Sequence, residues 1–114
     1  MKSVNEIMPL LKAYAHDVRS MYGKTLEKII LYGSYARGDY NEDSDIDILI
    51  LVNVPPSEER KKLDALAEIT ADFNLAHDLY ILPVLKSVET FSKWKQVDPF
   101  YQNVSKEGMV LLGA

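Results

Sequence analysis

Apolar and polar positions along the chain repeat with two different periods, one typical of helices and one typical of strands. In segment 4–22 the apolar residues recur at helical spacing: Val4, Ile7, Met8, Leu11, Tyr14, Ala15, Val18 and Met21. Pro9 interrupts this segment, so the pattern predicts a short first turn and a main helix that begins at Pro9 and ends at Gly23. The same helical spacing returns from Ser57 onward, with a predicted inner face of Leu63, Leu66, Ala67, Ile69, Thr70, Phe73 and Leu75.

Three short runs rich in isoleucine and leucine predict buried strands at 26–32, 45–52 and 78–85. Two short helices are expected at 88–96 and about 99–107, with Gly108 closing the second. The tail 109–114 either adds a strand or docks on the core. This order of elements predicts an α/β fold (an α+β sandwich), with a small mixed sheet and helices mainly on one face, over a single domain of residues 1–114.

Composition narrows the classes of function. The 114 residues include no cysteine, so a disulfide or a thiolate metal site is excluded. The apolar runs are far shorter than the roughly 20 residues of a membrane span, so a cytoplasmic protein without a membrane segment is expected. With 17 acidic and 13 basic residues the net charge is −4, which disfavours direct nucleic-acid binding, because phosphate neutralisation needs a basic face.

The acidic residues concentrate in one loop. Asp39, Glu42 and Asp43 are explained well as solvated loop residues. Asp45 and Asp47 are not, because they open an apolar strand in which side chains at i and i+2 point to the same face. Two carboxylates roughly 7 Å apart on one face repel each other, and a hard cation such as Mg²⁺ is the usual remedy.

A second chemical feature lies at the other end of that loop. Gly33 and Ser34 directly follow the strand 26–32, and glycine lets the backbone approach a ligand closely. A helical turn opening at Ser34 would present backbone N–H groups to phosphate, and Arg37 lies one turn further on. One loop therefore carries a predicted phosphate site and a predicted metal-binding pair.

These residues resemble the nucleotidyltransferase superfamily of DNA polymerase β, whose pattern is Gly-Ser, a loop, and Asp-x-Asp in an apolar strand. The short form resembles the minimal nucleotidyltransferases, or MNT group, through Gly33, Ser34, Ala36, Arg37, Gly38, Ser44, Asp45 and Asp47. The resemblance implies a polymerase-β-like core and a nucleotide-binding set of Gly33, Ser34, Arg37 and Ser44. Ser44 is expected to cap or turn the loop rather than to react.

The same resemblance implies ATP as donor and two Mg²⁺ ions, with Mn²⁺ as a substitute. The superfamily has a third carboxylate on a later strand, and Asp78 at the start of the third predicted strand is the choice for it. Asp45, Asp47 and Asp78 are thus the predicted catalytic and metal-binding residues. Asp64 and Asp72 fall inside a predicted helix and are less suitable.

The residues themselves do not identify the acceptor of the nucleotide. Many MNT proteins are antitoxins paired with a helical HEPN ribonuclease toxin, and some add AMP to a tyrosine of that toxin, so the resemblance favours such a partner. Two alternatives remain open: a binding module that neutralises a toxin without catalysis, and an aminoglycoside-type modifier of small molecules, which would need a homo-oligomer to complete its pocket.

The remaining candidates are given structural interpretations. His16 and His77 are far apart in the sequence and do not predict a metal site. Phe91, Trp94, Phe100 and Tyr101 recur at helical spacing and are expected in the core, with a partner surface as the alternative for some of them.

Overall fold

The first helix begins before the proline that was expected to start it. Ser3 caps this helix: its hydroxyl accepts from the Glu6 N–H, and its own N–H donates to the Glu6 carboxylate, both at 3.2 Å. Helix α1 then runs unbroken through Val4–Tyr22, with Pro9 inside it. The predicted start at Pro9 is wrong because the reciprocal cap and the buried Ile7 already hold the first turn.

The computed structural model describes residues 3–113. Its helices are α1 (Val4–Tyr22), α2 (Ser34–Arg37), α3 (Glu59–His77), α4 (Val88–Trp94) and α5 (Pro99–Glu107). Its strands are β1 (Leu26–Tyr32), β2 (Ile46–Val52), β3 (Ile81–Ser87) and β4 (Met109–Gly113). The tail thus forms a strand, and its last residue, Ala114, lies outside the described residues.

The four strands form one mixed sheet in the order β3-β2-β1-β4. Strand β1 is antiparallel to both β2 and β4, whereas β2 and β3 are parallel and joined through α3. The β1–β2 register pairs Tyr32 with Asp47 and Leu31 with Ile48. This register brings the two ends of the 33–45 loop side by side.

The sheet has two faces of different character. The long helices α1 and α3 pack on one face, over a core that includes Ile29, Ile48 and Ile50. The short helices α4 and α5 cover part of the other face, against Ile30, Leu49 and Leu51. Because side chains alternate along β2, Asp45 and Asp47 lie on the side of Leu49 and Leu51, away from the main core.

The third strand begins later than the sequence predicts. Asp78 is not a strand residue: it ends α3 in the left-handed conformation, with φ 53° and ψ 52°. The Asn74 side chain then accepts from the Ile81 N–H and donates to the Ile81 carbonyl, at 2.9 and 3.1 Å. These contacts turn the chain after the helix, so pairing with β2 starts only at Ile81.

Two predictions about packing need correction. Leu63, Ala67 and Leu75, assigned to the inner face of α3, are exposed, while Leu66, Thr70 and Phe73 are buried. Trp94 is 44% exposed rather than in the core, and the Lys93 ammonium lies 5.3 Å from its ring centroid. Among the described residues, no helix combines the length and apolar character that crossing a membrane requires.

Candidate active site

The paired aspartates lie where β2 begins. Ile46 and Ile48 point into the main core, which holds the intervening Asp47 on the opposite side of the strand. Asp47 is half-buried and Asp45 is exposed. Burial raises the pKa of Asp47, the nearby charge of Asp45 raises it further, and Arg37 acts in the opposite direction. The two carboxylates therefore interact unfavourably, as their spacing predicts.

Gly33 has a conformation and a neighbour that exclude a side chain. Its φ is 76° and its ψ is −156°, a region open essentially to glycine. A Cβ atom at this position would overlap Oδ2 of Asp47 and lie 3.1 Å from Cγ. The Gly33 backbone is thus packed directly against the Asp47 carboxylate, which joins the predicted phosphate loop to the predicted metal pair.

Ser34 opens the expected helical turn as the first residue of α2, and its side chain is partly exposed. Ser44 has the role of a loop residue: its hydroxyl accepts from the Asn41 N–H at 2.9 Å, and its N–H donates to the Asn41 carbonyl at 3.1 Å. Its membership of the nucleotide-binding set stays a prediction.

Arg37, one turn after Gly33, is held by two carboxylates. Its Nε donates to Asp39 and its Nη1 donates to Glu107, each at 3.1 Å. The hydrogen bond and charge of Asp39, with those of Glu107, raise the pKa of Arg37. Glu107 belongs to the end of α5, and nothing in its sequence position predicts this pairing.

Tyr32 is a further residue at the site that the sequence reasoning missed. It ends β1, pairs with Asp47 across the sheet, and packs its ring edge-on against Phe100 at 5.4 Å. Burial raises the pKa of Tyr32 to about 12, with a further contribution from the charge of Asp47. The strand register could have indicated this neighbour, because residues facing each other across an antiparallel pair share a side.

Asp78 occupies a different setting from the one predicted. It lines a cavity of about 280 Å³ together with Glu42, Ser44 and Tyr80, over an apolar floor of Ile7, Tyr35, Ile46 and Leu79. Asp45 and Asp47 are not among the residues that line this cavity. Within residues 3–113, no three acidic or histidine side chains are grouped so that they could hold a metal ion, and the predicted trio is therefore not assembled.

The position on β3 that faces the aspartate pair is apolar. Leu82 pairs with Asp47 in the parallel register and is 53% exposed. A third carboxylate at this register position would share a face with Asp47, but the chain has leucine there. The third carboxylate that the resemblance implies is therefore not supplied at this position of β3.

The aspartate pair has the properties of a divalent cation site. Its donors are carboxylate oxygens, which Mg²⁺ and Mn²⁺ accept. Burial and the neighbouring charge of Asp45 raise the pKa of Asp47, so a bound cation would stabilise its charged form, and the absence of a side chain at Gly33 lets the backbone lie against this carboxylate. Two carboxylates suit a cation that takes its remaining ligands from phosphate and water.

A family model described as a nucleotidyltransferase domain matches residues 11–110 of the chain. MJ0604 of Methanocaldococcus jannaschii, named a candidate protein adenylyltransferase, is 38% identical over 104 residues, which are 89% of this chain and 93% of that protein. The protein adenylyltransferase MntA of Thermococcus cleftensis is 33% identical over 84 residues, which are 69% of this chain and 83% of MntA.

Solved structures share the fold. A candidate nucleotidyltransferase from Sulfolobus solfataricus has a TM-score of 0.58 at 22% identity, covering 96% of this chain and 86% of the other. A toxin–antitoxin structure with AMP-PNP has a TM-score of 0.54 at 20% identity, covering 90% and 73%. A complex of tri-AMPylated Shewanella oneidensis HEPN toxin with MNT antitoxin has a TM-score of 0.50 at 19% identity, covering 94% and 73%. The predicted fold class is thereby confirmed.

Proposed function

The chain belongs to the nucleotidyltransferase domain family, and from that premise we propose that it transfers AMP from ATP to a tyrosine hydroxyl of a HEPN-type toxin. The transfer would depend on divalent metal ions at Asp45 and Asp47 and would neutralise the toxin. A cytoplasmic location, where ATP is supplied, is part of the same proposal.

The observation that carries this proposal is the direct packing of Gly33 against Asp47. In this arrangement a backbone free of side-chain atoms and a pair of mutually repelling carboxylates share one small space. A triphosphate with its divalent cation has the matching chemistry, because the cation offsets the carboxylates and the bare backbone lets phosphate approach.

The proposed mechanism assigns a role to each side chain. Asp45 and Asp47 would hold Mg²⁺ or Mn²⁺, which stabilises negative charge on the attacking and leaving oxygens when bound. Gly33 and Ser34 bind the triphosphate through backbone N–H groups and the hydroxyl, and Arg37 donates to a phosphate oxygen. The tyrosine oxygen bonds to the α-phosphorus, the bond from that phosphorus to the β-phosphate oxygen breaks, and pyrophosphate leaves.

The proposed acceptor of the nucleotide is inferred from related proteins. MntA of T. cleftensis is named a protein adenylyltransferase, and the S. oneidensis complex contains an AMPylated HEPN toxin with its MNT antitoxin. We extend both the toxin partner and the hydroxyl acceptor to this chain. The net charge of −4 agrees with a protein acceptor rather than a nucleic acid.

The direct test is an adduct assay. Purified protein is incubated with ATP, Mg²⁺ and the HEPN-type protein encoded beside it, and the partner is analysed by intact mass and peptide sequencing. We expect an AMP moiety on a partner tyrosine, and its loss when Mg²⁺ is chelated. If ATP binding is demonstrated and the partner stays unmodified, the assignment of the acceptor is wrong.

The same assay separates catalysis from simple binding. The double variant Asp45→Asn with Asp47→Asn removes the metal pair, and we expect it to bind the toxin without modifying or neutralising it. Full neutralisation by the double variant would support a non-catalytic binding module instead. The control Asp43→Asn removes one charge from the exposed part of the same loop and should retain transfer.

For Asp78 we propose that it accepts the proton of the incoming tyrosine. Asp78 is exposed. Two residues later, the carbonyl of Tyr80 accepts a hydrogen bond from the N–H of Ile46, the residue between Asp45 and Asp47. Asp78→Asn should then lower kcat by about 10²–10⁴-fold with little change in ATP affinity. A loss of Mg²⁺ affinity would instead make Asp78 a metal ligand, and normal kinetics would remove it from the mechanism.

A further inference from the structure

The contact between Arg37 and Glu107 joins two parts of the chain that are 70 residues apart. We propose that Glu107 is a positioning residue, which holds the Arg37 guanidinium in the orientation that binds the triphosphate. The inference rests on the proposed function, because it requires Arg37 to act on ATP.

The backbone at Glu107 is held in place by contacts between α5 and the sheet. Its helix, α5, is anchored on the sheet by Val104, which packs with Ile30 and Leu49. Directly after Glu107, the Gly108 N–H donates to the Val104 carbonyl at 2.8 Å. A Cβ at Gly108 would lie only 2.6 Å from Cγ2 of Ile30, so the helix end fits closely over β1. Glu107 therefore starts from a position set by the core.

Arg37 has no comparable support of its own. Its helix, α2, has four residues, and its side chain is 45% exposed. Asp39, its other partner, lies two residues away in the same loop and is 62% exposed, so it moves together with the loop. Glu107 is only 24% exposed and is the partner that relates the guanidinium to the sheet.

The two hydrogen bonds leave the guanidinium able to bind phosphate. They use Nε and Nη1 as donors, and a guanidinium has five N–H donors arranged in a plane. Restricting the rotation of a long side chain before the ligand arrives reduces the entropy lost on binding.

The alternative is that Glu107 competes with the triphosphate for Arg37 and weakens binding. The two models predict opposite signs for the removal of the Glu107 charge. Positioning predicts weaker nucleotide binding, whereas competition predicts tighter binding. In both models Glu107 changes nucleotide binding only by acting on Arg37. An effect of Glu107→Gln that persists in the Arg37→Gln background therefore has another cause.

The test measures binding of AMP-PNP with Mg²⁺ by calorimetry to wild type, Glu107→Gln, Arg37→Gln and the double variant. We expect Glu107→Gln to raise the Kd about 5- to 10-fold in the wild-type background and to have no further effect in the Arg37→Gln background. Glu107→Asp should restore part of the affinity. The control Glu89→Gln removes the same charge from an exposed position on α4 and should leave the Kd unchanged.

Three results would overturn the proposal: tighter binding by Glu107→Gln, an unchanged Kd, or an equal loss in both backgrounds. Thermal unfolding of each variant distinguishes a loss of affinity from a loss of fold. If wild type binds AMP-PNP and Glu107→Gln binds equally well, only the positioning role fails. If wild type itself does not bind the nucleotide, the proposed function fails with it.

Discussion

At the scale of single residues, the site depends on the absence of a side chain at Gly33. The Asp47 carboxylate occupies the space that a Cβ would fill, and the positive φ adds a backbone penalty for any other residue. Gly38, five residues on, also has a positive φ of 90°, but no atom lies within 4 Å of the Cβ position. Gly38 therefore serves as a control in which a positive φ is not accompanied by a contact with Asp47.

We expect Gly33→Ala to lower stability by about 1–3 kcal/mol and to reduce transfer at least 100-fold, because Asp47 must move. Gly38→Ala should cost less stability, because the left-handed conformation of Gly38 is open to other residues at about 1–2 kcal/mol, and it should keep most of the activity. The measurements are thermal unfolding and adduct formation at a temperature where both variants are folded. Equal activity of the two variants would show that the Gly33–Asp47 contact is unimportant for transfer.

Asp47 is required by the proposed function, but its charge lowers the stability of the fold when no metal is bound. Its raised pKa means that the folded state binds a proton more readily than the unfolded chain, so the wild type loses stability as pH rises through the carboxyl range. Asp47→Asn removes that loss. We expect the variant to have a higher Tm than wild type at pH 7 without metal, the difference vanishing at acid pH, and to lose transfer activity.

The matched control for this prediction is Asp43→Asn, which changes an exposed residue of the same loop and should leave the Tm unchanged. Addition of Mg²⁺ should raise the Tm of wild type and not that of Asp47→Asn, because a ligand stabilises the state that binds it. A lower Tm for Asp47→Asn at pH 7 without metal would contradict the interpretation.

At the scale of elements, one glutamate joins α3, β3 and α4. The Glu59 carboxylate accepts from the Ser87 N–H and the Thr90 hydroxyl, both at 2.9 Å. The Ser87 hydroxyl in turn accepts from the Thr90 N–H at 3.0 Å and so caps α4. Burial by itself raises the pKa of Glu59, but these hydrogen bonds outweigh it and lower the pKa overall.

We therefore expect Glu59→Ala to destabilise the protein by about 1–3 kcal/mol at pH 7. A lowered folded pKa means that the stabilisation is present above the unfolded pKa of glutamate and is lost as pH falls through the folded value. The difference from wild type should consequently shrink below about pH 4. Denaturant unfolding across pH measures it, with Glu68→Ala on the exposed side of α3 as control.

At the scale of the whole molecule, three tyrosines are integrated in or beside the core. Burial raises the pKa of Tyr14, Tyr22 and Tyr32 to about 12 in each case. Tyr14 also connects the two long helices through a hydrogen bond of 2.7 Å to Thr70. Ionisation of these phenols is thus coupled to opening of the fold.

Because the folded pKa values lie above the usual value of 10, the stabilisation is complete below pH 10 and is lost as pH rises towards 12. We expect the part of the tyrosinate absorbance that is missing from a Tyr14→Phe variant to appear together with the loss of helical circular dichroism. Tyr14→Phe should cost about 1–3 kcal/mol at neutral pH, since Thr70 loses its partner, and should lose less stability at high pH. If the absorbance assigned to Tyr14 rises well before unfolding, this coupling is contradicted.

The sequence by itself determined the elements whose pattern is local. The isoleucine- and leucine-rich runs LEKIILY and IDILILV predicted β1 and β2. The strict period of two in a strand then placed Asp45 and Asp47 on a shared side. The Gly-Ser bend followed from residue types with narrow backbone preferences. From these features the fold class and the family followed, and both were confirmed.

Only the tertiary structure decided the relations between distant segments. The start of β3 depends on the left-handed Asp78 and on the Asn74 side chain, which together removed Asp78 from the strand. The partner of Arg37 came from a helix 70 residues away, and Leu82 reached the side of Asp47 through parallel pairing. Such contacts depend on how elements pack and in which register they pair. Register follows from the hydrophobic pattern together with turn geometry, so the periodicity of one segment alone does not determine which distant residues meet.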